Sequence, residues 1–276
     1  MSEFPANISA QTYCLTIDAT NRWLVAGIIG PPHSQSLSSG AAGATNAADS
    51  PITETGVGDW SSGRDAPRES FRQLLPEIEQ ALGRSGITRP DWIAAARGPG
   101  SFTGTRISVG AARNLAQLWD IPIRSVSSLQ FYLYSQARRA LNDGASPDRA
   151  IAVMIDGKQE RVYAAHISMR DALAGRKITA VDSAPDRFLT QLYELHPDAI
   201  VYVDDRESIA GYARTSAIIT ERQSDWRDIS TPRAVDLRDL CLTNAEDAIT
   251  TVGWAEFAPE YLRDDAATTK FPGAGA

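Results

Sequence analysis

The amino-acid sequence predicts an α/β protein of two similarly built halves, and three observations predict it. Short apolar runs alternate with longer stretches whose apolar residues recur at helical spacing, the pattern of strands interleaved with helices. The stretch from Trp92 to Trp119 passes from an apolar run through a glycine-rich turn into a helical pattern. Finally, an apolar strand ending in Ile17-Asp18 opens the first half and one ending in Ile155-Asp156 opens the second, each followed by a turn and a returning strand. Such an echo half a chain apart suggests duplication.

The elements follow in order. Tyr13–Ile17 and Trp23–Ile29 form a β-hairpin with Asp18 at the end of its first strand. Residues 30–67 are rich in Gly, Ser, Ala, Thr and Pro, cannot bury enough surface to offset their ordering entropy, and are expected to be a mobile loop. Pro51–Val57 is a candidate third strand there, and His33 and Trp60 are read as loop. Arg68–Leu82 is a helix with Phe71, Leu74, Leu75, Ile78 and Leu82 on one face, Gly83 and Gly86 as stop signals, and Pro76 marking a kink or a later start. Ile121–Val126 is a strand and Leu129–Leu141 an amphipathic helix, after which Asn142-Asp-Gly-Ala-Ser-Pro147 separates a first half at 11–142 from a smaller second half at 148–265. In the second half, the returning strand Arg161–Ser168 is followed by a strand at Ile178–Val181, a helix at Asp186–Leu195, a strand at Ala199–Val203 and a helix at Ala234–Ile249. The tail 266–276 is expected to fray.

Two readings compete for the glycine loop. Gly98, Gly100, Ser101, Thr103 and Gly104 follow a strand and open a helix, so their backbone N–H groups could cradle an anion. No Lys follows the last glycine, however, and the G-x-G-x-x-G spacing is not met. The row Gly104, Ser108, Ala112 and Ala116, spaced by four, favours the other reading, a tight turn followed by a closely packing helix capped by Ser101 or Thr103.

Gly98-Pro-Gly-Ser-Phe-Thr-Gly104, with Arg106, Ile107, Gly110 and Val126-Ser-Ser-Leu129 after it, closely resembles the signature of the bacterial TsaB (YeaZ) family. Pro259-Glu-Tyr-Leu-Arg263 resembles that family's ending. The resemblance spans nearly the whole chain and is weakest at 30–67 and 170–250. It implies two RNase H-like (actin-like, ASKHA) domains, mixed sheets flanked by helices, and a non-catalytic subunit of the machinery that makes threonylcarbamoyladenosine in tRNA. The implied partners are a catalytic TsaD-like subunit, a TsaE-like ATPase, tRNA only through the complex, and a second copy of the chain when it is alone. In that family the first two helices pack against the partner. This assigns the interface to Phe71, Leu74, Ile78, Gly104, Ser108, Ala111, Ala112 and Leu115.

The actin-like resemblance also places Asp18 and Asp156 towards nucleotide phosphates, beside Gly98–Gly104. With no Gly-Gly run between Asp156 and Val252 to hold an adenosine, these residues read as a vestigial site for a weakly held nucleotide with Mg²⁺, and no firm cofactor is expected. A stand-alone actin-like ATPase or phosphotransferase is the alternative. His33, His166 and His196 have no i, i+4 spacing, so no metal ligand or catalytic residue is assigned; Ser70 stands where relatives often have a His.

Composition bounds the rest. The 276 residues are 43% hydrophobic, enough for real cores. A net charge of −7 gives no basic footprint for nucleic acid. Only Cys14 and Cys241 are present, which suits a reducing compartment, and the absence of an apolar leader or spanning run points to the cytoplasm.

Overall fold

The computed structural model describes residues 8–32, 57–65, 70–212, 216–243 and 245–263. The first sheet holds β1 (Cys14–Asp18), β2 (Trp23–Pro32), β3 (Val57–Asp65), β4 (Trp92–Ala96) and β5 (Ile123–Val126). The second holds β6 (Ala150–Lys158), β7 (Arg161–Ser168), β8 (Val181–Ser183), β9 (Ile200–Val203) and β10 (Arg227–Asp228). Strand order is β3-β2-β1-β4-β5 in one, with a sixth strand, β11 (Thr250–Val252), antiparallel beyond β5, and β8-β7-β6-β9-β10 in the other; the first five strands of each form an antiparallel meander continued by parallel strands. The plan is the same twice, as the Ile-Asp echo predicts.

Alternation along the strands builds the layers, because successive side chains point to opposite faces. Leu15, Ile17, Ile93 and Ala95 face α1 (Ser70–Ser85) and α2 (Phe102–Trp119). Cys14, Trp92 and Ala94 face the other way, into a core shared with Ile151, Val153 and Ile155 of the second sheet. Between the sheets lies α3 (Ser128–Asn142), buried without a break from Ser128 to Ala137. The expected amphipathic helix is therefore a central one, covered on both sides. Beyond the second sheet, Ala152 and Met154 meet α5 (Pro185–Leu195). The short helices α4 (Met169–Leu173), α6 (Arg206–Tyr212) and α7 (Ala217–Arg222) complete this half.

Several expectations are corrected. The segment 30–67 is not one loop, because β2 runs to Pro32 and β3 occupies 57–65. Trp60 is a buried strand residue there; pairing with β2 satisfies the backbone that composition alone would leave to water. Residues 33–56, including His33 and most of the candidate strand Pro51–Val57, lie outside the described residues, as does 264–276. Helix α1 carries Pro76 inside it and runs past Gly83 to Ser85, stopping at Gly86, whose φ of 72° is left-handed. The helix expected at 234–249 ends at Cys241 (α8, Ala234–Cys241), and β11 (Thr250–Val252) pairs antiparallel with β5. Part of the expected second half thus returns to the first sheet. Among the described residues no helix is long and apolar enough to cross a membrane.

Candidate functional site

The glycine loop is pressed against the β1–β2 turn. A Cβ on Gly100 would stand 2.2 Å from the Thr20 carbonyl oxygen, and one on Gly104 2.4 Å from that of Ala19. Three of the loop's donors are used internally: Ser101 N–H donates to Thr20 O (2.7 Å), Gly98 N–H to Ser128 Oγ (3.0 Å), and Gly104 N–H to Ser101 Oγ (3.3 Å), which caps α2. This is the packing arrangement. Asp18 lies sealed beneath it, fully buried, with Oδ1 accepting from Thr20 N–H (2.9 Å) and Oγ–H (2.7 Å) and Oδ2 from Tyr132 O–H (2.8 Å). Burial raises its pKa against the pull of those hydrogen bonds.

The open site lies beside it, in a cleft of about 550 Å³ between the halves. Asn21, Arg22, the Gly100–Phe102 segment, Asp156–Lys158, Asp204 and Asp205 line it. Of the residues expected at a nucleotide site, Gly100, Ser101 and Asp156 reach this cleft; Asp18, Gly98, Thr103 and Gly104 are not among its lining residues. Asp156 accepts from Tyr212 O–H (2.6 Å) and the Lys158 backbone N–H (2.8 Å) and pairs with the Lys158 ammonium. Asp204 accepts the Asp156 N–H (2.9 Å), while its own carbonyl accepts from Arg22 (2.6 Å), which ties the first half's turn to the second half. Burial, with Asp156 and Asp205 adding like charge, pushes the Asp204 carboxyl up to about 7. Asp205 is held low instead: burial opposes this, but Ser208 N–H (3.0 Å) and O–H (2.8 Å), Lys158 and Arg22 outweigh it. Asn21 Nδ2 is buried without a partner among the described residues, a donor left for a ligand or water. Among the described residues no group of three or more His, Cys, Asp or Glu could hold a metal ion.

Sequence reading missed Arg22, Lys158, Asp204 and Asp205. The signal available was Asp204-Asp205 directly after the apolar run of β9, the strand that matches β4 in the duplicated plan.

The ending Pro259–Arg263 buckles the halves together across this cleft. Glu260 N–H donates to Arg97 O (2.8 Å) and its carboxylate pairs with Arg97 (3.0 Å), while Tyr261 O–H accepts from Arg106 (3.2 Å). Arg263 then forks onto Asp182 in the second half (2.6 and 3.0 Å). The two sequence motifs are therefore in direct contact, the tail lying against the loop.

The assigned interface residues divide. Gly104, Ser108, Ala112, Leu74 and Ile78 are buried in the chain's own core, because the small-residue row lies against β1 and β4; Ser108 Oγ sits 3.4 Å from both Ala19 N and Ala96 O. They are corrected to intramolecular packing. Ala111 and Leu115 are half-buried and, with Ile107, pack at the edge of that core. The side chain of Phe71 lies outside the described residues. Two residues outside the assignment, Leu75 at 57% and Leu118 at 73% exposure, lie on the same two helices.

The family model described as "TsaD: tRNA N6-adenosine threonylcarbamoyltransferase" matches residues 64–207. A protein of Escherichia coli named "tRNA threonylcarbamoyladenosine biosynthesis protein TsaB" is 30% identical over 213 residues, covering 75% of this chain and 86% of that protein. The chain belongs to the TsaB (YeaZ) family. A Haemophilus influenzae protein of the same name is 27% identical over 219 residues, with the same coverage of each. The solved structure titled "YeaZ from Pseudomonas aeruginosa" superposes with a TM-score of 0.62 at 21% identity, covering 91% of this chain and all of that one. The duplicated sheets are thus the two RNase H-like domains of the TsaB fold.

Proposed function

We propose that this chain serves tRNA threonylcarbamoyladenosine biosynthesis, the process its relatives are named for, as a non-catalytic subunit that docks a TsaD-like catalytic partner. The partner, with a TsaE-like ATPase, transfers the threonylcarbamoyl group to adenosine 37, and tRNA is met only through the complex. The observation that carries this reading is the outward face of α1 and α2. Exposed Leu118 falls at helical spacing from half-buried Ile107, Ala111 and Leu115 on α2, and α1 adds exposed Leu75, apolar surface of the kind that marks association. The same face would serve a second copy when the partner is absent.

Calorimetry with the TsaD-like protein of the same organism tests this reading. We expect a one-to-one complex, and at least a tenfold loss of affinity in Leu118→Glu, a surface change that leaves the unfolding midpoint unaltered. Wild-type affinity in that variant would remove the face from the interface; no complex at all would sink the subunit reading. Binding of ATP with Mg²⁺ to the chain alone at micromolar affinity would instead favour the stand-alone nucleotide enzyme.

A further inference from the structure

No two histidines of the chain share a helical spacing, yet the fold brings two of the three together. His166 lies on β7, on the face that Val162 and Ala164 turn toward α5, and stands opposite Ala152 of β6. His196 is the C-cap of α5. The two ring centres are 5.4 Å apart with their planes inclined at 59°, and Phe188 of α5 flanks His166 at 6.3 Å.

Both side chains are half-buried, and neither imidazole makes a hydrogen bond or ion pair among the described residues. None of their ring nitrogens is sealed from solvent. Two imidazoles are thus held side by side by strand and helix, with their nitrogens uncommitted and reachable. The local field has the sign a cation takes. Helix α5 has 11 residues and its negative end lies at His196; its last turn holds no basic residue, and Glu194 stands in that turn. The nearby cation Arg149 is paired with Asp198 (3.6 Å).

An ion about 2.0–2.1 Å from one nitrogen of each ring sits roughly 3.2 Å from each ring centre, and a tetrahedral angle at the ion then sets the centres about 5.2 Å apart. The observed 5.4 Å matches this spacing, whereas a linear arrangement needs about 6.4 Å. From this geometry we infer that His166 and His196 form an open site for a borderline-soft divalent ion of the zinc class. The imidazoles supply two of the four tetrahedral positions, and water or an outside donor takes the other two. Imidazole nitrogen selects such ions over magnesium and calcium, which prefer oxygen. The pair lies on the outer face of the second sheet; it does not line the large cleft and is independent of the docking face on α1 and α2.

The test is imidazole NMR of the full, untagged chain at about pH 7.5, above the usual imidazole value, titrated with zinc chloride and, as the control, magnesium chloride. We expect paired, saturable shifts of the His166 and His196 rings at one equivalent of zinc and none with magnesium. His196→Gln, at a helix end, and His166→Gln are each expected to weaken zinc at least tenfold, while His33→Gln leaves the affinity unchanged. The wild-type rings report binding directly, so the outcome does not depend on either variant folding. A response of one ring alone, an equal response to magnesium, unchanged zinc affinity in both variants, or loss of binding in His33→Gln would overturn the proposal.

Discussion

Asp18 and Asp156 hold the same place in two copies of one plan, each near the end of the first strand of an antiparallel meander. Their surroundings are opposite. Asp18 is closed over by the glycine loop that follows β4, and its partners are neutral hydroxyls and an amide. Asp156 faces a cleft, pairs with Lys158 and touches Asp204 through its backbone. What differs is the loop after the fourth strand. After β4 it carries glycines that let backbone meet backbone; after β9 it is Asp204-Asp205, where contact with the neighbouring turn runs through the Asp204 side chain to the Asp156 N–H and both acids line the cleft. The duplicated topology sets where a strand-end acid stands, and the facing loop decides whether it is structural or open to a ligand.

The largest expected effect breaks the closed copy. Gly104→Leu would drive a side chain into the Ala19 carbonyl, backbone that cannot rotate away, so we expect a loss of about 3 kcal/mol or more in urea unfolding. In the open copy Gly157, which follows Asp156 as Ala19 follows Asp18, has its nearest obstacle at 3.2 Å, the Arg161 carbonyl, and Gly157→Ala should cost about 1 kcal/mol. A loss at Gly157 as large as that at Gly104 would show that the turn beside Asp156 is as closely packed as the loop over Asp18. A Gly104→Leu chain that folds normally would return the small-residue row to the surface.

Next in size are the two tyrosines that donate to these acids. Tyr132→Phe strips a buried carboxylate of one hydrogen bond where no water can replace it, which costs about 1–3 kcal/mol. Tyr212→Phe removes a bond of similar length to Asp156, but at a cleft where Lys158 and solvent remain, so its cost should stay under about 1 kcal/mol. Comparing the two unfolding midpoints measures how closed each copy is; equal costs would contradict the distinction.

Much of this comparison was legible in the sequence, and particular residues show why the rest was not. The Ile-Asp echo announced the duplicated sheets because strand patterning is local. The spacing of Gly104, Ser108 and Ala112 correctly signalled close packing, but periodicity says that a face is packed and not against what, so a core face was assigned to a partner. Trp60 was hidden because the segment around it is poor in apolar residues; its strand is held by pairing with β2, a contact distant in sequence. Thr250–Val252 was missed for the same reason, being only three residues long and dependent on β5. Asp204 carried no motif of its own and became a site residue only once β9 was seen to copy β4.

The smallest effect concerns protons and sharpens the comparison most finely. Burial raises both Asp18 and Asp204, the latter to about 7. A carboxyl raised above its unfolded value near 3.9 favours the fold fully below that value, and this contribution is lost as pH rises through the folded value. For Asp204 the window therefore runs from about pH 4 to about pH 7. Asp204→Asn keeps an oxygen for the Asp156 amide and removes the titration, so wild type should lose stability relative to this variant across that window. The difference should be on the order of 1 kcal/mol after screening across the open cleft. Asp18→Asn should change stability with the same sign, but its transition should be insensitive to salt, because the acid has no water contact, whereas that of Asp204 should shrink as salt screens Asp156 and Asp205. Unfolding midpoints at three pH values and two salt concentrations read both effects, and a parallel salt response in the two variants would mean that the cleft is as closed as the turn beneath the glycines.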